Sequence, residues 1–179
     1  MSYAEFLAFC DSAETKHEYE DGVAVAMTGG SPEHGRLAVA FASLLTNALE
    51  GRPCRVFSSD VRVRIEETNR ALYPDLSVVC GNVETASDDE HGVTNPSVIV
   101  EVLSPRTEAN GRGAKFASYR RLPTLQEYVL VSQNESRMEV FRREGDHWSL
   151  YEFGSGESLV LTSLSVSIPI DLVYRDRID

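Results

Sequence analysis

Two acidic residues and one lysine carry the clearest chemical signal in this sequence. Asp75 follows Tyr73-Pro74 and opens an apolar run, Glu101 lies inside the apolar run of residues 98–103, and Lys115 follows shortly afterwards. An ionised carboxylate in a buried strand costs several kcal/mol of desolvation, so Glu101 is expected to have a cation, hydrogen-bond donors or a metal ion as its partner. A metal ion shared with Asp75 is the interpretation that involves the most chemistry.

Neighbouring strands would bring the two carboxylates together. Strands that pair lie about 4.8 Å apart, so Asp75 and Glu101 could share one Mg²⁺ with ligand oxygens at about 2.1 Å. Lys115, in the first turns of a helix, would point its ammonium back over the strand end and stabilise charge on a phosphate. Three structural explanations stay open: Asp75 caps a turn, Glu101 pairs with a core arginine, or Lys115 is a solvated surface lysine.

The elements that would position these residues can be read from turn signals and periodicity. Asp21-Gly22 predicts a hairpin turn, and Ser31-Pro32 predicts the start of a long helix that Gly51 ends. Alternating residues from Val56 to Glu66 predict one half-buried strand that pairs with the strand after Asp75. The remaining expectations are a helix over 3–9, an acidic loop over 84–92, a strand around Glu101, a helix over 110–121 that ends before Pro123, a strand over 128–131, and a meander of 138–142, 148–153 and 159–161.

These elements predict a mixed α/β fold with a central β-sheet flanked by helices and a C-terminal β-meander. The 179 residues, 42% of them hydrophobic, suit a single domain over 1–179 that buries roughly 70% of its unfolded surface. Three widely spaced cysteines without a CxxC pair argue against a disulfide framework or a zinc cluster. Because no basic leader or long apolar run is seen, we expect a cytoplasmic protein with no membrane partner.

The charge distribution bears on nucleic-acid binding. The net charge is −11, from 28 acidic and 17 basic residues, which argues against a general nucleic-acid coat protein. Two basic segments, over 104–121 and 52–64, nevertheless flank the two carboxylates. Their arginines either contact phosphate or are solvated charges that balance an acidic protein.

Four motifs in order resemble the Uma-two type of restriction endonuclease, a branch of the PD-(D/E)xK nuclease superfamily. They are Tyr73-Pro74-Asp75, Ile99-Val100-Glu101-Val102-Leu103-Ser104-Pro105, Lys115-Phe116-Ala117-Ser118-Tyr119 and Leu125-Gln126-Glu127-Tyr128-Val129-Leu130-Val131. The segment from Glu18 to Gly22 matches a further motif, and the resemblance runs from Glu5 to about Leu172. It implies a restriction-endonuclease-like core.

The resemblance also implies site residues. Asp75 and Glu101 would be the metal ligands, Lys115 the catalytic lysine, Glu18 an accessory acid with Glu20 and Asp21 as competitors, and His34 a further accessory residue. The cofactor would be Mg²⁺ or Mn²⁺ and the partner nucleic acid, with DNA the expected substrate. A homodimer is implied as well.

Two departures from the family pattern bear on activity. Leu103 occupies the place where most of these nucleases carry the lysine, so the role must have migrated to Lys115. Gly111 stands where relatives often have an aspartate. Two functions are therefore carried forward: a Mg²⁺-dependent nuclease that hydrolyses phosphodiester bonds, and a nuclease-fold binding or regulatory module with little turnover.

Overall fold

The computed structural model describes residues 1–104 and 108–178. Its helices are α1 (Tyr3–Ser12), α2 (Pro32–Ala48), α3 (Glu108–Asn110), α4 (Phe116–Tyr119) and α5 (Ile170–Tyr174), with a π-helical turn (Gly111–Lys115) joining α3 to α4 and a 3-10 turn at Glu66–Thr68. The strands are β1 (His17–Glu20), β2 (Val23–Ala26), β3 (Cys54–Ser58), β4 (Arg62–Ile65), β5 (Arg70–Leu72), β6 (Leu76–Cys80), β7 (Thr85–Ala86), β8 (Asp89–Val93), β9 (Val98–Leu103), β10 (Glu127–Ser132), β11 (Arg137–Glu144), β12 (His147–Gly154), β13 (Ser158–Leu161) and β14 (Val166–Pro169).

A central mixed sheet holds the strands that carry the candidate site. Within the described residues its order is β12-β11-β10-β9-β6-β3, and the β9–β10 pair is parallel while its other pairs are antiparallel. Every residue of β9 is buried, as expected for a strand covered on both faces. The predicted strand around Glu101 therefore lies in the middle of the fold, next to the strand that follows Asp75.

Each face of the central sheet has its own hydrophobic core. On one face, α2, α5 and the β13–β14 hairpin pack on the side chains of Val98, Val100 and Val102. Leu37, Phe41 and Leu45 of α2 are fully buried here, which stabilises the fold by about 1.5–3 kcal/mol for each side chain.

The other face is covered by the second sheet and by α4. The second sheet has the order β2-β1-β5-β4-β8-β7 in the described chain, and its core residues pack with Ile99, Leu103 and Tyr119. The architecture confirms the predicted α/β class with a central mixed sheet flanked by helices. Among the described residues, no helix combines the length and the apolar character needed to span a membrane.

The local signals at the first hairpin and at α2 are confirmed. Asp21 and Gly22 have φ angles of 45° and 94°, the positive values that a tight hairpin turn requires. Ser31 caps α2 by accepting a hydrogen bond from the backbone N–H of His34 at 3.1 Å, and Pro32 lies in the first turn. α2 places His34 at the end of the central sheet.

The predicted single strand over 56–66 is wrong. The chain turns between β3 and β4, which belong to different sheets: β3 pairs with β6 as expected, whereas β4 pairs with β5 and β8. The alternation of apolar residues and arginines continues across the turn into β4, although Arg64 is itself buried there. The sequence pattern therefore does not reveal the break.

The acidic segment over 84–92 is also not the predicted loop, since it contains β7 and β8. The side chain of Asp89 is buried, where it accepts hydrogen bonds from the hydroxyl of Tyr3 at 2.5 Å and from two guanidinium nitrogens of Arg62 at 2.5 and 2.6 Å. A paired carboxylate can be buried at moderate cost. Tyr3 and Arg62 lie far from Asp89 in the sequence. The acidic composition of the segment, taken without these partners, therefore wrongly indicates a loop.

The C-terminal region follows the prediction only in part. β11 and β12 extend the central sheet as expected, but β13 pairs with β14 in a separate hairpin rather than with β12. Buried Glu127 anchors this hairpin by accepting hydrogen bonds from the backbone N–H groups of Thr162 and Ser163 at 3.0 and 3.1 Å.

The cysteine prediction is corrected too. Cys54 and Cys80 form a disulfide that joins β3 to β6, while Cys10 is free. The two cysteines face each other in the register of the antiparallel pair. Their spacing in the sequence gives no sign of this contact, because strand pairing creates it.

Candidate active site

A cavity of about 540 Å³ opens at the edge of the central sheet where β6 begins and β9 ends. Four of the predicted site residues line it: His34, Asp75, Glu101 and Lys115. They come from α2 on one face of the sheet, from the residue that precedes β6, from the adjacent strand β9, and from the π-helical turn on the other face. The fifth predicted residue, Glu18, contacts Lys115 from the second sheet.

Asp75 is held in place through both carboxylate oxygens. Its Oδ2 accepts a hydrogen bond from the backbone N–H of Val102 at 2.7 Å, and its Oδ1 lies 2.8 Å from Nε2 of His34. Val102 directly follows Glu101 in β9. The strand pairing and this backbone hydrogen bond thus bring the two acids to the same edge of the sheet.

Glu101 faces the helical segment that carries Lys115 and Tyr119. Its Oε1 accepts hydrogen bonds from Nζ of Lys115 and from the hydroxyl of Tyr119, both at 3.2 Å. Burial raises the pKa of Glu101 to about 7, with Lys115 opposing the shift and the charges of Asp75 and Glu18 adding to it. Near neutral pH this carboxyl group is therefore poised between its protonated and ionised forms.

Lys115 bridges two acids. Its Nζ donates to Oε1 of Glu18 at 2.9 Å as well as to Glu101. Burial lowers the pKa of Lys115, but the two carboxylates outweigh burial and raise it above its ordinary value. Lys115 therefore keeps its charge near neutral pH, and its side chain is only 14% exposed, which excludes a solvated surface lysine as the explanation.

The π-helical turn gives Lys115 its position. The hydroxyl of Tyr128 donates to the carbonyl of Gly111 at 2.9 Å, and Arg70 donates to the carbonyl of Ala114 at 3.3 Å. These bonds fix the turn against both sheets. Such single π turns are frequent at functional sites, and the helix periodicity over 110–121 does not reveal it.

Of the three acids that competed for the accessory role, only Glu18 contacts Lys115 in the described chain. Its Oε1 also accepts a hydrogen bond from the backbone N–H of Tyr73 at 3.0 Å, which ties β1 to the segment that leads into Asp75. Glu20 lies 3.3 Å from Arg70, and Asp21 accepts from Asn69. Glu18 thus holds the lysine and the Asp75 segment together.

His34 reaches the site from the first turn of α2. The hydrogen bond to Asp75 raises the pKa of His34, an effect that partial burial opposes. The imidazole contacts the acid from the side of the sheet opposite to Lys115. The structure thus surrounds the two acids with a cation on one face and a histidine on the other.

The two carboxylates suit Mg²⁺ better than a metal ion that needs a full set of protein ligands. Among residues 1–104 and 108–178, no group of three or more His, Cys, Asp or Glu side chains is arranged to hold a metal ion. Mg²⁺ usually binds one or two carboxylates and completes its coordination with water and substrate phosphates. Asp75 and Glu101, which line one cavity, match that requirement.

The two predicted basic segments are mostly engaged in internal contacts. Arg112 forms ion pairs with Glu108, at 3.0 Å, and with Glu139. Arg62 is paired with buried Asp89, and the guanidinium of Arg64 lies 3.9 Å from the centre of the Tyr3 ring. Arg106 lies outside the described residues. Arg120 is exposed, which leaves its side chain accessible to a phosphate group.

Two contacting residues were not assigned roles from the sequence. Tyr119 donates to Glu101, and its spacing of four from Lys115 places both on one helical face, which is a signal that could have identified it. Gln133 lies 3.5 Å from His34, directly after β10. No local pattern marks Gln133, because only the parallel pairing of β9 and β10 brings it to the site.

Comparison with known proteins places this geometry in context. A family model described as "Putative restriction endonuclease", named Uma2, matches residues 3–171. The chain is 36% identical over 176 residues to "Uncharacterized protein slr1290" of Synechocystis sp. (strain ATCC 27184 / PCC 6803 / Kazusa), covering 98% of this chain and 92% of the relative. It is 35% identical over 153 residues to "Uncharacterized protein sll1609" of the same organism, covering 85% and 86%.

A solved structure supports the fold. The crystal structure of "a putative nuclease belonging to DUF820" from Anabaena variabilis ATCC 29413 superposes with a TM-score of 0.77 and 17% identity, covering 98% of both chains. The sequence motifs, the fold and the family match agree over nearly the whole chain. The protein therefore belongs to the Uma2 family.

Proposed function

We propose that this protein is a metal-dependent nuclease that hydrolyses phosphodiester bonds, with DNA as its substrate. The observation that carries the proposal is the position of Lys115, a buried cation in contact with Glu101, in the cavity that Asp75 also lines. If Lys115 only compensated the buried charge of Glu101, no second carboxylate would be needed beside it. A carboxylate pair and an ammonium around one cavity also supply the parts that phosphoryl chemistry requires.

Each residue has a separate task in this proposal. Asp75 and Glu101 would hold Mg²⁺ or Mn²⁺, which when bound lowers the pKa of a water molecule and offsets charge on the phosphate. Lys115 stabilises the charge that develops on the phosphate oxygens. Glu18 keeps the ammonium of Lys115 in place, and His34 fixes Asp75 by its hydrogen bond.

The second candidate is a nuclease-fold binding or regulatory module with little turnover. The pairing of Arg112 and Arg62 with acids favours it, because few arginines of the described basic segments are left for phosphate in a protein of net charge −11. Arg120 is the residue to test for binding.

In both candidates we retain a single domain over 1–179, a homodimer and a cytoplasmic location as predictions. The Cys54–Cys80 disulfide weighs against the reducing compartment that the cytoplasm provides.

A substrate panel decides between the two functions. The parent protein is incubated with supercoiled plasmid, linear duplex, single-stranded DNA and RNA, each with Mg²⁺, Mn²⁺ or a chelator. The nuclease predicts cleavage of DNA that needs the metal and is lost in Glu101→Gln. Binding without cleavage of any substrate would instead support the regulatory module, and cleavage that persists in Glu101→Gln would contradict the proposed site.

A further inference from the structure

The hydrogen bonds around His34 run in a defined direction. The hydroxyl of Ser31 accepts from the backbone N–H of His34 at 3.1 Å, and it donates its single hydrogen to Oε1 of Gln133 at 2.7 Å. That distance is the usual one for an O–H···O bond. In the structure the Gln133 amide has its oxygen toward Ser31 and its nitrogen toward His34.

This orientation determines which imidazole nitrogen carries the proton. Nε2 of Gln133 lies 3.5 Å from Nδ1 of His34, and an amide nitrogen can only donate. Nδ1 must then be the acceptor. The ring proton of the neutral imidazole accordingly sits on Nε2, which donates it to Oδ1 of Asp75 at 2.8 Å.

The imidazole ring also packs closely against Gly30, which has no side chain. A Cβ atom at this position would lie 2.8 Å from both Cγ and Cδ2 of the His34 ring, closer than real Cβ contacts allow. The neighbouring Gly29 is different, because a Cβ atom there would meet nothing within 4 Å. Of these two glycines, Gly30 is the one that must lack a side chain for the ring to fit.

We propose that Gln133 and Gly30 are positioning residues for the candidate metal site. Gln133 selects the His34 tautomer, Gly30 leaves the imidazole room, and His34 then fixes one oxygen of Asp75. Hydrogen-bonding partners of this kind orient metal-ligating side chains, and their loss commonly lowers metal affinity by about 10- to 100-fold. The effect on a metal ion rests on the proposed function, whereas the orientation of His34 does not.

The orientation is tested by ¹⁵N NMR of metal-free protein labelled at histidine, with the His34 signals identified by their loss in His34→Gln. At mildly alkaline pH, where the imidazole is neutral, we expect the parent to show a protonated Nε2 and an unprotonated Nδ1. In Gln133→Glu the carboxylate accepts a hydrogen bond, so Nδ1 should become protonated. In Gly30→Ala the signals should also shift, whereas Gly29→Ala should leave them as in the parent.

The link to Asp75 is tested by Mn²⁺ affinity. Gln133→Met removes the amide but keeps the length of the side chain, and both it and Gly30→Ala should weaken Mn²⁺ binding by about 10-fold or more, unlike Gly29→Ala. Unchanged His34 signals in Gln133→Glu and Gly30→Ala would overturn the positioning role. Changed signals with unchanged Mn²⁺ affinity would overturn the action through Asp75. A parent that binds no Mn²⁺ would contradict the proposed function, while the NMR result would still decide the orientation.

Discussion

Nζ of Lys115 lies 3.2 Å from Oε1 of Glu101, so the buried acid and the buried cation of the candidate site are direct partners. Removing one member of such a pair leaves the other charge without compensation. Here Glu18, at 2.9 Å, provides Lys115 with a second acid. The lysine can therefore keep its charge when the state of Glu101 changes, for example on protonation or on metal binding.

The raised pKa of Glu101 predicts how metal affinity changes with pH. Burial raises this pKa to about 7, so below that pH a metal ion must displace a proton from the folded protein. Mn²⁺ affinity should rise about tenfold for each pH unit up to about 7 and then level off, as one displaced proton requires. Calorimetric titration at several pH values measures this slope.

The matched variant is Glu101→Gln, which cannot titrate and should bind weakly at every pH. A parent affinity that does not change between mildly acidic and neutral pH would contradict the assignment of Glu101 as a ligand.

The raised pKa of Glu101 also affects the stability of the fold. Because the folded-state pKa lies above the ordinary value, ionisation of Glu101 costs stability, and this cost is absent in acid and complete above about pH 7.

Lys115→Ala separates metal binding from chemistry. Cleavage should fall roughly 100-fold or more, the effect of removing one preorganised charge-stabilising group. The protein should still fold and bind Mn²⁺ at mildly alkaline pH, where the two acids remain ionised. Initial cleavage rates, circular dichroism and calorimetric Mn²⁺ titration measure the three properties.

The control for this variant is Lys16→Ala. Lys16 forms a surface ion pair with Asp60 at 2.7 Å, and removal of such an exposed pair changes stability by less than about 1 kcal/mol. Its cleavage rate should match that of the parent. If Lys115→Ala is also as fast as the parent, the lysine has only a structural role and the migrated catalytic lysine is wrong.

Some parts of the fold and site could be predicted because the signals are local. Asp21-Gly22 specifies its hairpin through positive φ angles, Ser31 specifies the start of α2, and the apolar neighbours of Glu101 specify a buried strand. Local patterns do not show contacts between distant segments. Asp89 looks like a loop residue until Arg62 and Tyr3 are brought to it.

The same reason explains what was missed at the site. Gln133 reaches His34 only because β10 lies parallel to β9, and Lys115 is aimed by a π turn that has no recognised sequence signal. Glu18 and Glu20 lie on the same face of β1, so only the three-dimensional packing shows that Glu18 contacts Lys115 whereas Glu20 pairs with Arg70. The sequence therefore identifies the candidate site residues, but it does not identify the residues that contact them.

Glu127 provides a stability prediction away from the site. Its buried carboxylate accepts from Nε of Arg142 at 2.9 Å and from the backbone of the segment that joins β13 to β14. Glu127→Ala should lower the free energy of unfolding by roughly 3–5 kcal/mol, because it leaves the Arg142 charge and the backbone donors without a partner. Urea unfolding of the variant measures the change.

Glu152, which is exposed on β12, supplies the control for that experiment, and Glu152→Ala should shift stability by less than about 1 kcal/mol. Equal stabilities of the Glu127 and Glu152 variants would show that the buried carboxylate does not hold the C-terminal hairpin.

The disulfide makes a prediction about the edge of the central sheet. Cys54 and Cys80 have a sequence separation of 26, and closing a loop of that length stabilises a fold by about 3.5 kcal/mol in the chain-entropy model. Reduction with dithiothreitol should lower the melting temperature of the parent but not that of a Cys54→Ala, Cys80→Ala double variant. An equal response of the two proteins to the reductant would contradict a structural role for the bond.

Anomalous diffraction from a crystal soaked in Mn²⁺ tests directly whether Asp75 and Glu101 share one divalent cation. We expect a single strong anomalous peak within coordination distance of an oxygen of each carboxylate. The peak should disappear in Glu101→Gln crystals soaked in the same way. A peak held by other residues, or no peak from a protein that cleaves DNA with Mn²⁺ in solution, would contradict the shared site.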